Sequence, residues 1–102
     1  MPSTRTHQSR KVLYKTKEPS AYNVILHNDD YTTMDFVVHI LMSIFRKDEI
    51  DAEELMMKVH VEGSAVAGTY TKDIAESKRD KATKEARMNG FPLILTVEED
   101  RR

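Results

Sequence analysis

The 102-residue chain contains no cysteine and no tryptophan, and only three glycines and three prolines. Without thiols it can form neither a disulfide nor a thiolate metal centre, and nothing in it asks for an oxidising compartment, so the expected location is the cytoplasm. No apolar run approaches the roughly 20 residues that span a bilayer, and the opening Met1-Pro2-Ser3-Thr4-Arg5 lacks the apolar stretch of a signal peptide. A membrane is therefore not an expected partner. Basic side chains are scarce in the stretch after the first 20 residues: residues 21–70 hold only Arg46, Lys47 and Lys58 against nine acidic residues. With no aromatics interleaved among the basic residues either, nucleic acid is not an expected partner.

What is present suffices for one small domain. At 39% hydrophobic content, a chain of this length can bury one modest core. Its charge is unevenly laid out. Residues 1–20 carry five Lys/Arg against Glu18, residues 21–70 are strongly acidic, and residues 71–102 are nearly balanced. Residues 1–19 read as a disordered basic tail that ends at Pro19, with Val12-Leu13-Tyr14 its one apolar cluster, and residues 20–102 read as the domain.

Within the domain, Tyr22 to Leu26 has strand composition, and Asn28-Asp29-Asp30 is a turn that ends it. Thr32 followed by Asp35 resembles a capping box for a helix opening at Phe36. Phe36, Val37, Ile40, Leu41, Ile44 and Phe45 then fall on one helical face, with Arg46 and Lys47 at its end. Asp51 with Glu54 opens a second, shorter helix whose apolar side carries Leu55, Met56, Val59 and His60, and Gly63 is its stop. Val66 to Tyr70 is a strand with a bulge or close approach at Gly68. Thr71 caps a helix over about 72–89 whose narrow face is Ala75, Ala82 and Ala86, and Asn89-Gly90 ends it. Phe91 to Val97 is the last strand, with Leu93, Leu95 and Val97 on one side. The order β-α-α-β-α-β predicts an α+β sandwich: a three-stranded antiparallel sheet with helices on one face.

The strand-to-helix junction at residues 24–36 sets an amide and two carboxylates on a rigid support, which suits a cationic donor. Thr32, Met34, Val37, Met56, Val59 and Leu93 are of the types that could wall an apolar cavity beside it. An ammonium has three donors and no acceptor. An amide oxygen, a carboxylate and a neutral imidazole nitrogen would satisfy it, and methionine walls adapt to apolar side chains of different shape.

Asn28-Asp29-Asp30-Tyr31-Thr32 followed by Met34 and Phe36-Val37, then Leu55-Met56 with Val59-His60 and Gly63, then Ala65, Gly68, Tyr70-Thr71 and Pro92-Leu93, resembles the ClpS family of Clp protease adaptors over about residues 20–98. The resemblance implies a non-enzymatic adaptor without cofactors. Such an adaptor binds N-degrons (a free N-terminal Phe, Tyr, Trp or Leu) and delivers the substrates to a Clp-family AAA+ unfoldase and its peptidase. Carried over, Asn28, Asp30 and His60 would hold the α-amino group, with Asp29 a neighbour. Thr32, Met34, Val37, Met56, Val59 and Leu93 would form the side-chain pocket, Met34 acting as a gate against β-branched residues. Asp73 and Lys78 would match the unfoldase-docking positions. Three residues depart from the family pattern: His27 stands where an aliphatic residue is usual beside the pocket, Thr33 where Pro is common, and Asp73 where Glu is common. The rival from another class is a metal-dependent hydrolase with His27, Asp29, Asp30 and His60 as ligands and a bound water as nucleophile. The lack of a paired-His spacing weighs against it.

Overall fold

A computed structural model describes residues 20–101, so the expectation of a basic tail over residues 1–19 lies outside the described residues. The elements are β1 (Tyr22–His27), α1 (Met34–Ser43), α2 (Glu49–Glu62), β2 (Ser64–Tyr70), α3 (Lys72–Met88) and β3 (Ile94–Glu99). The sheet order is β2-β1-β3 with both pairs antiparallel, the α+β arrangement expected from the sequence.

Alternation along the strands decides which side the helices cover. Val24 and Leu26 of β1, Ala65 and Ala67 of β2, and Leu95 of β3 are buried, whereas Val66 and Ile94 stand exposed on the outer face. The long helix α3 touches all three strands, and α2 packs on both α1 and β2. It is the small stripe Ala75, Ala82 and Ala86, fully buried, that lets α3 lie close to the sheet. A tilted ring pair, Phe36 with Phe91 at 4.9 Å between centroids, joins α1 to the segment before β3.

Several element boundaries differ from the sequence reading, each for a local reason. The cap of α1 is Thr33, whose hydroxyl accepts from the Phe36 N–H at 3.1 Å. Thr32 is not available for that role because it serves the preceding turn. Helix α1 ends at Ser43, and no basic residue lies in its last turn. Beyond it, Lys47 N–H reaches back to Leu41 O at 3.0 Å through Arg46, which takes a left-handed φ of 60°. The carbonyl of Ile44 is met from elsewhere, by the ammonium of Lys78 at 2.7 Å.

Helix α2 starts at Glu49 rather than Asp51 because the Asp48 carboxylate caps it, accepting from Asp51 N–H at 2.8 Å. At 14 residues it is longer, not shorter, than the 10-residue α1. Gly63 ends it at φ 95°, as the left-handed cap requires. Thr71 is the cap residue of α3, without a side-chain bond. The bulge falls at Ala67 and Gly68, where the pairing passes from Val24↔Gly68 to Ile25↔Val66. A Cβ on Gly68 would collide with the ring of Tyr70, so the close approach there is to a side chain. Finally β3 begins at Ile94. Residues 91–93 precede it as an irregular segment held by Arg87, whose Nη1 donates to Phe91 O at 2.9 Å and to Leu93 O at 2.8 Å.

Candidate functional site

The junction after β1 is shaped chiefly by Asp29. Its Oδ1 accepts from Tyr31 N–H at 2.8 Å and Thr32 N–H at 2.7 Å, and its Oδ2 accepts from the Thr32 hydroxyl at 2.7 Å. This Asx-type turn fixes the backbone before α1 begins. One residue earlier, the Asn28 N–H donates to Gly63 O at 2.9 Å, and Gly63 N–H donates to Val59 O at 2.9 Å. Those two bonds bring the start of the turn against the last turn of α2, which carries His60.

The result is a cavity of about 420 Å³ lined by residues 28–34 together with Val37, Met56, Val59 and His60, within the size range of ligand pockets. It brings together Asn28, Asp29, Asp30, His60, Thr32, Met34, Val37, Met56 and Val59 from the sequence-derived set. Leu93 is placed differently: it is 1% exposed, in the core, and does not line this cavity. Tyr31, 77% exposed, and Thr33 line it although the sequence reading did not select them. Their adjacency to the turn was the available signal. His60 was expected on a face packed toward the core, but it is exposed and opens on the cavity.

Asp29 is a structural member of this set. Burial alone would raise its pKa, but the bonds from Thr32 and Tyr31 and the positive charge of Arg87 outweigh burial and hold the carboxyl below its ordinary 3.8. A lowered folded-state pKa contributes stability above the unfolded value, and that contribution is lost as pH falls through the folded one. The turn should therefore stay intact through neutral and mildly acidic solution and loosen only below pH 3.8. Asp29→Ala should remove about 1 kcal/mol, the net worth of partly exposed hydrogen bonds that solvent still screens, or roughly 4–8 °C in Tm. Calorimetry together with amide exchange at Tyr31 and Thr32 checks it. An unchanged Tm with unchanged exchange would deny Asp29 this role.

His27 belongs elsewhere. Next to buried Leu26 on β1 it points to the outer face of the sheet, where its Nε2 pairs with the Thr96 hydroxyl at 2.8 Å. It does not line the cavity, so it neither changes the pocket's polarity directly nor completes a four-residue metal site with Asp29, Asp30 and His60. Among the described residues no group of three or more His, Cys, Asp or Glu is placed to hold a metal ion, and the hydrolase reading loses its ligand set.

A second cavity, about 320 Å³, lies between the end of α1 and the start of α3 and includes Asp73 and Lys78 with Arg46, Ile74, Ser77 and Lys81. Asp73 is exposed. Lys78 is half-buried, bonded to Ile44 O and set 5.3 Å from the centre of the Tyr70 ring. Burial pushes the Tyr70 phenol pKa up. Among the described residues no helix is long and apolar enough to cross a membrane.

Fold and cavity together define a small α+β binding domain: a rim of polar acceptors over apolar walls, carried by one sheet and three helices. A family profile, ATP-dependent Clp protease adaptor protein ClpS, matches residues 17–96. A ClpS adapter of Vibrio atlanticus is 51% identical over 85 residues, covering 83% of this chain and 80% of that protein. One from Campylobacter jejuni is 45% identical over 100 residues, covering 98% of this chain and all of its own length. Among solved structures, Agrobacterium tumefaciens ClpS2 bound to L-phenylalaninamide superposes with a TM-score of 0.79 at 42% identity, covering 81% of this chain and 100% of that one. The chain belongs to the ClpS family of Clp protease adaptors. It is an adaptor and not an enzyme.

Proposed function

We propose that the chain captures proteins by a free, large hydrophobic N-terminal residue (Phe, Tyr, Trp or Leu) and hands them to a Clp-family AAA+ unfoldase in the cytoplasm for degradation. The observation that carries this reading is the meeting of Asn28, Asp30 and His60 with Met34, Val37, Met56 and Val59 around one cavity. Asn28, Asp30 and His60 accept from the α-ammonium, capture of an N-terminal amine being a recurring mode of peptide recognition. Thr32, Met34, Val37, Met56 and Val59 receive the side chain, and Leu93 belongs to the core cluster that also holds Val37 and Val59. The structural neighbour's bound L-phenylalaninamide, a free amine beside an aromatic side chain, supports the assignment. The exposed Asp73 and the partly committed Lys78 form the docking surface for the unfoldase.

The test is a panel of peptides that differ only in their first residue. Phe, Tyr, Trp and Leu should bind, while Ile and Val should bind at least about tenfold more weakly, since a branch at Cβ meets the Met34 side chain at the cavity mouth. Removing or adding a methylene-sized group in an apolar pocket changes affinity by roughly that factor. Met34→Ala should narrow the gap between Leu and Ile. A panel with no dependence on the first residue would overturn the reading.

A further inference from the structure

Met56 has two sides. One lines the main cavity, and the other lines a second depression between α1 and α2, about 570 Å³, floored by Val38, Met42, Met56 and Met57. Met42 is 40% exposed and Met57 45% exposed, so this methionine surface stands open beside the cavity. Helical spacing builds it: Asp35, Val38 and Met42 follow one face of α1, and Glu49, Glu53, Met56 and Met57 follow one face of α2. The groove thus leads from Met56 toward the start of α2.

Its rim is of one sign. Asp35, Glu49 and Glu53 line it, and neither lysine nor arginine does. The imidazole of His39, the remaining lining residue, is paired with Glu85 at 2.7 Å across to α3. Four exposed or half-exposed apolar side chains beneath three carboxylates form a surface complementary to a strand that carries an apolar residue followed by a cationic one.

We propose that this groove is an extended subsite: it holds the residues that follow the anchored first residue of a bound polypeptide, taking an apolar side chain on Met42 and Met57 and a Lys or Arg between Glu49 and Glu53. The inference rests on the reading of the main cavity as the first-residue site. The geometry sets the scale. From Met56 to Glu49 is seven residues of helix, about 10 Å, which an extended chain covers in about three residues. The apolar side chain therefore falls near the third position and the cation at the fourth or fifth. Methionines floor the groove without imposing one shape, so the selection is by class of side chain rather than by a single residue.

Three ligands with free amines separate the possibilities, measured on the full chain and on the Glu49→Gln/Glu53→Gln variant: L-phenylalaninamide, Phe followed by four glycines, and Phe-Gly-Leu-Lys-Lys. The last should bind the unmodified chain about tenfold more tightly than the glycine peptide, as two exposed ion pairs and one partly buried apolar side chain allow. The advantage should shrink in concentrated salt and fall to about twofold in the variant, with L-phenylalaninamide binding unchanged throughout. Equal affinity for the two peptides, or an advantage that the variant and salt leave untouched, would overturn the subsite while binding of L-phenylalaninamide keeps the main cavity standing. Loss of L-phenylalaninamide binding by the unmodified chain would overturn both.

Discussion

Acetylating the α-amine of a peptide that begins with phenylalanine should weaken its binding by about a hundredfold or more, because the change removes the cation and puts an uncharged amide among acceptors. Around the cavity lie Asn28, Asp30 and His60, and a group that has lost its charge and two of its three donors can give these acceptors only a single neutral bond. A charge-assisted hydrogen bond is typically worth about 1.5–3 kcal/mol, which is one to two decades in affinity. Asp30→Ala and His60→Ala test the same contact from the other side. Each should cost about tenfold, the lower end of that range, since both side chains are exposed and solvent screens them. Because neither residue belongs to the core, the variants should keep the wild-type Tm. Calorimetric titration with free and acetylated peptides decides it: equal affinity for the two would remove the α-amine from the recognition.

Deleting residues 1–17 should leave the affinity for such a peptide within about twofold and abolish delivery. All cavity-lining residues lie at or beyond Asn28, so the deletion takes nothing from the site. It does take Arg5, Arg10, Lys11, Lys15 and Lys17, the basic counterpart of an acidic domain. A fully extended segment of that length would span roughly 55 Å, the reach that delivery to an unfoldase docked, as proposed, through Asp73 and Lys78 would call on. Degradation of a reporter starting with Phe, compared for the full and shortened chains, is the measurement. Undiminished degradation by the shortened chain would leave the basic segment without a part in delivery.

Much of the architecture could be read from period and punctuation. The apolar face of α1 was visible as Phe36, Val37, Ile40 and Leu41, all buried, and Gly63 marked the end of α2 because few other residues tolerate φ 95°. What escaped was decided by side chains competing for the same partners. Thr32 and Thr33 are equal candidates for a cap in composition, and the choice falls to Thr33 only because Asp29 has claimed the hydroxyl of its neighbour. Asp48 and Asp51 posed the same problem at α2.

His27 could have been placed by counting alone: if Val24 and Leu26 face inward, their neighbour faces outward. The expectation that it lies beside the pocket came with the family resemblance, whereas alternation along β1 sets it on the outer face with Thr96. The start of β3 depended on pairing with β1 and on the grip of Arg87 over residues 91–93, neither of which leaves a local trace. The polar rim of the site was legible because a turn tip concentrates it. The place of His60 at the cavity came only with the family resemblance, since in the residues themselves it depends on the bond from Asn28 to Gly63, which joins segments far apart in the chain.

Val37 and Val59 are core residues, 7% and 4% exposed, and at the same time walls of the cavity. A guest that fills the cavity is therefore packed against the same side chains that hold the domain together, and occupancy enters the folding equilibrium itself. By mass action, a ligand present at a hundred times its Kd adds about 2.7 kcal/mol to the folded state, a large share of what a domain of this size possesses. Such a guest would be, for as long as it stays, a piece of the domain's interior, and melting temperature becomes a label-free gauge of which ligands fill the cavity.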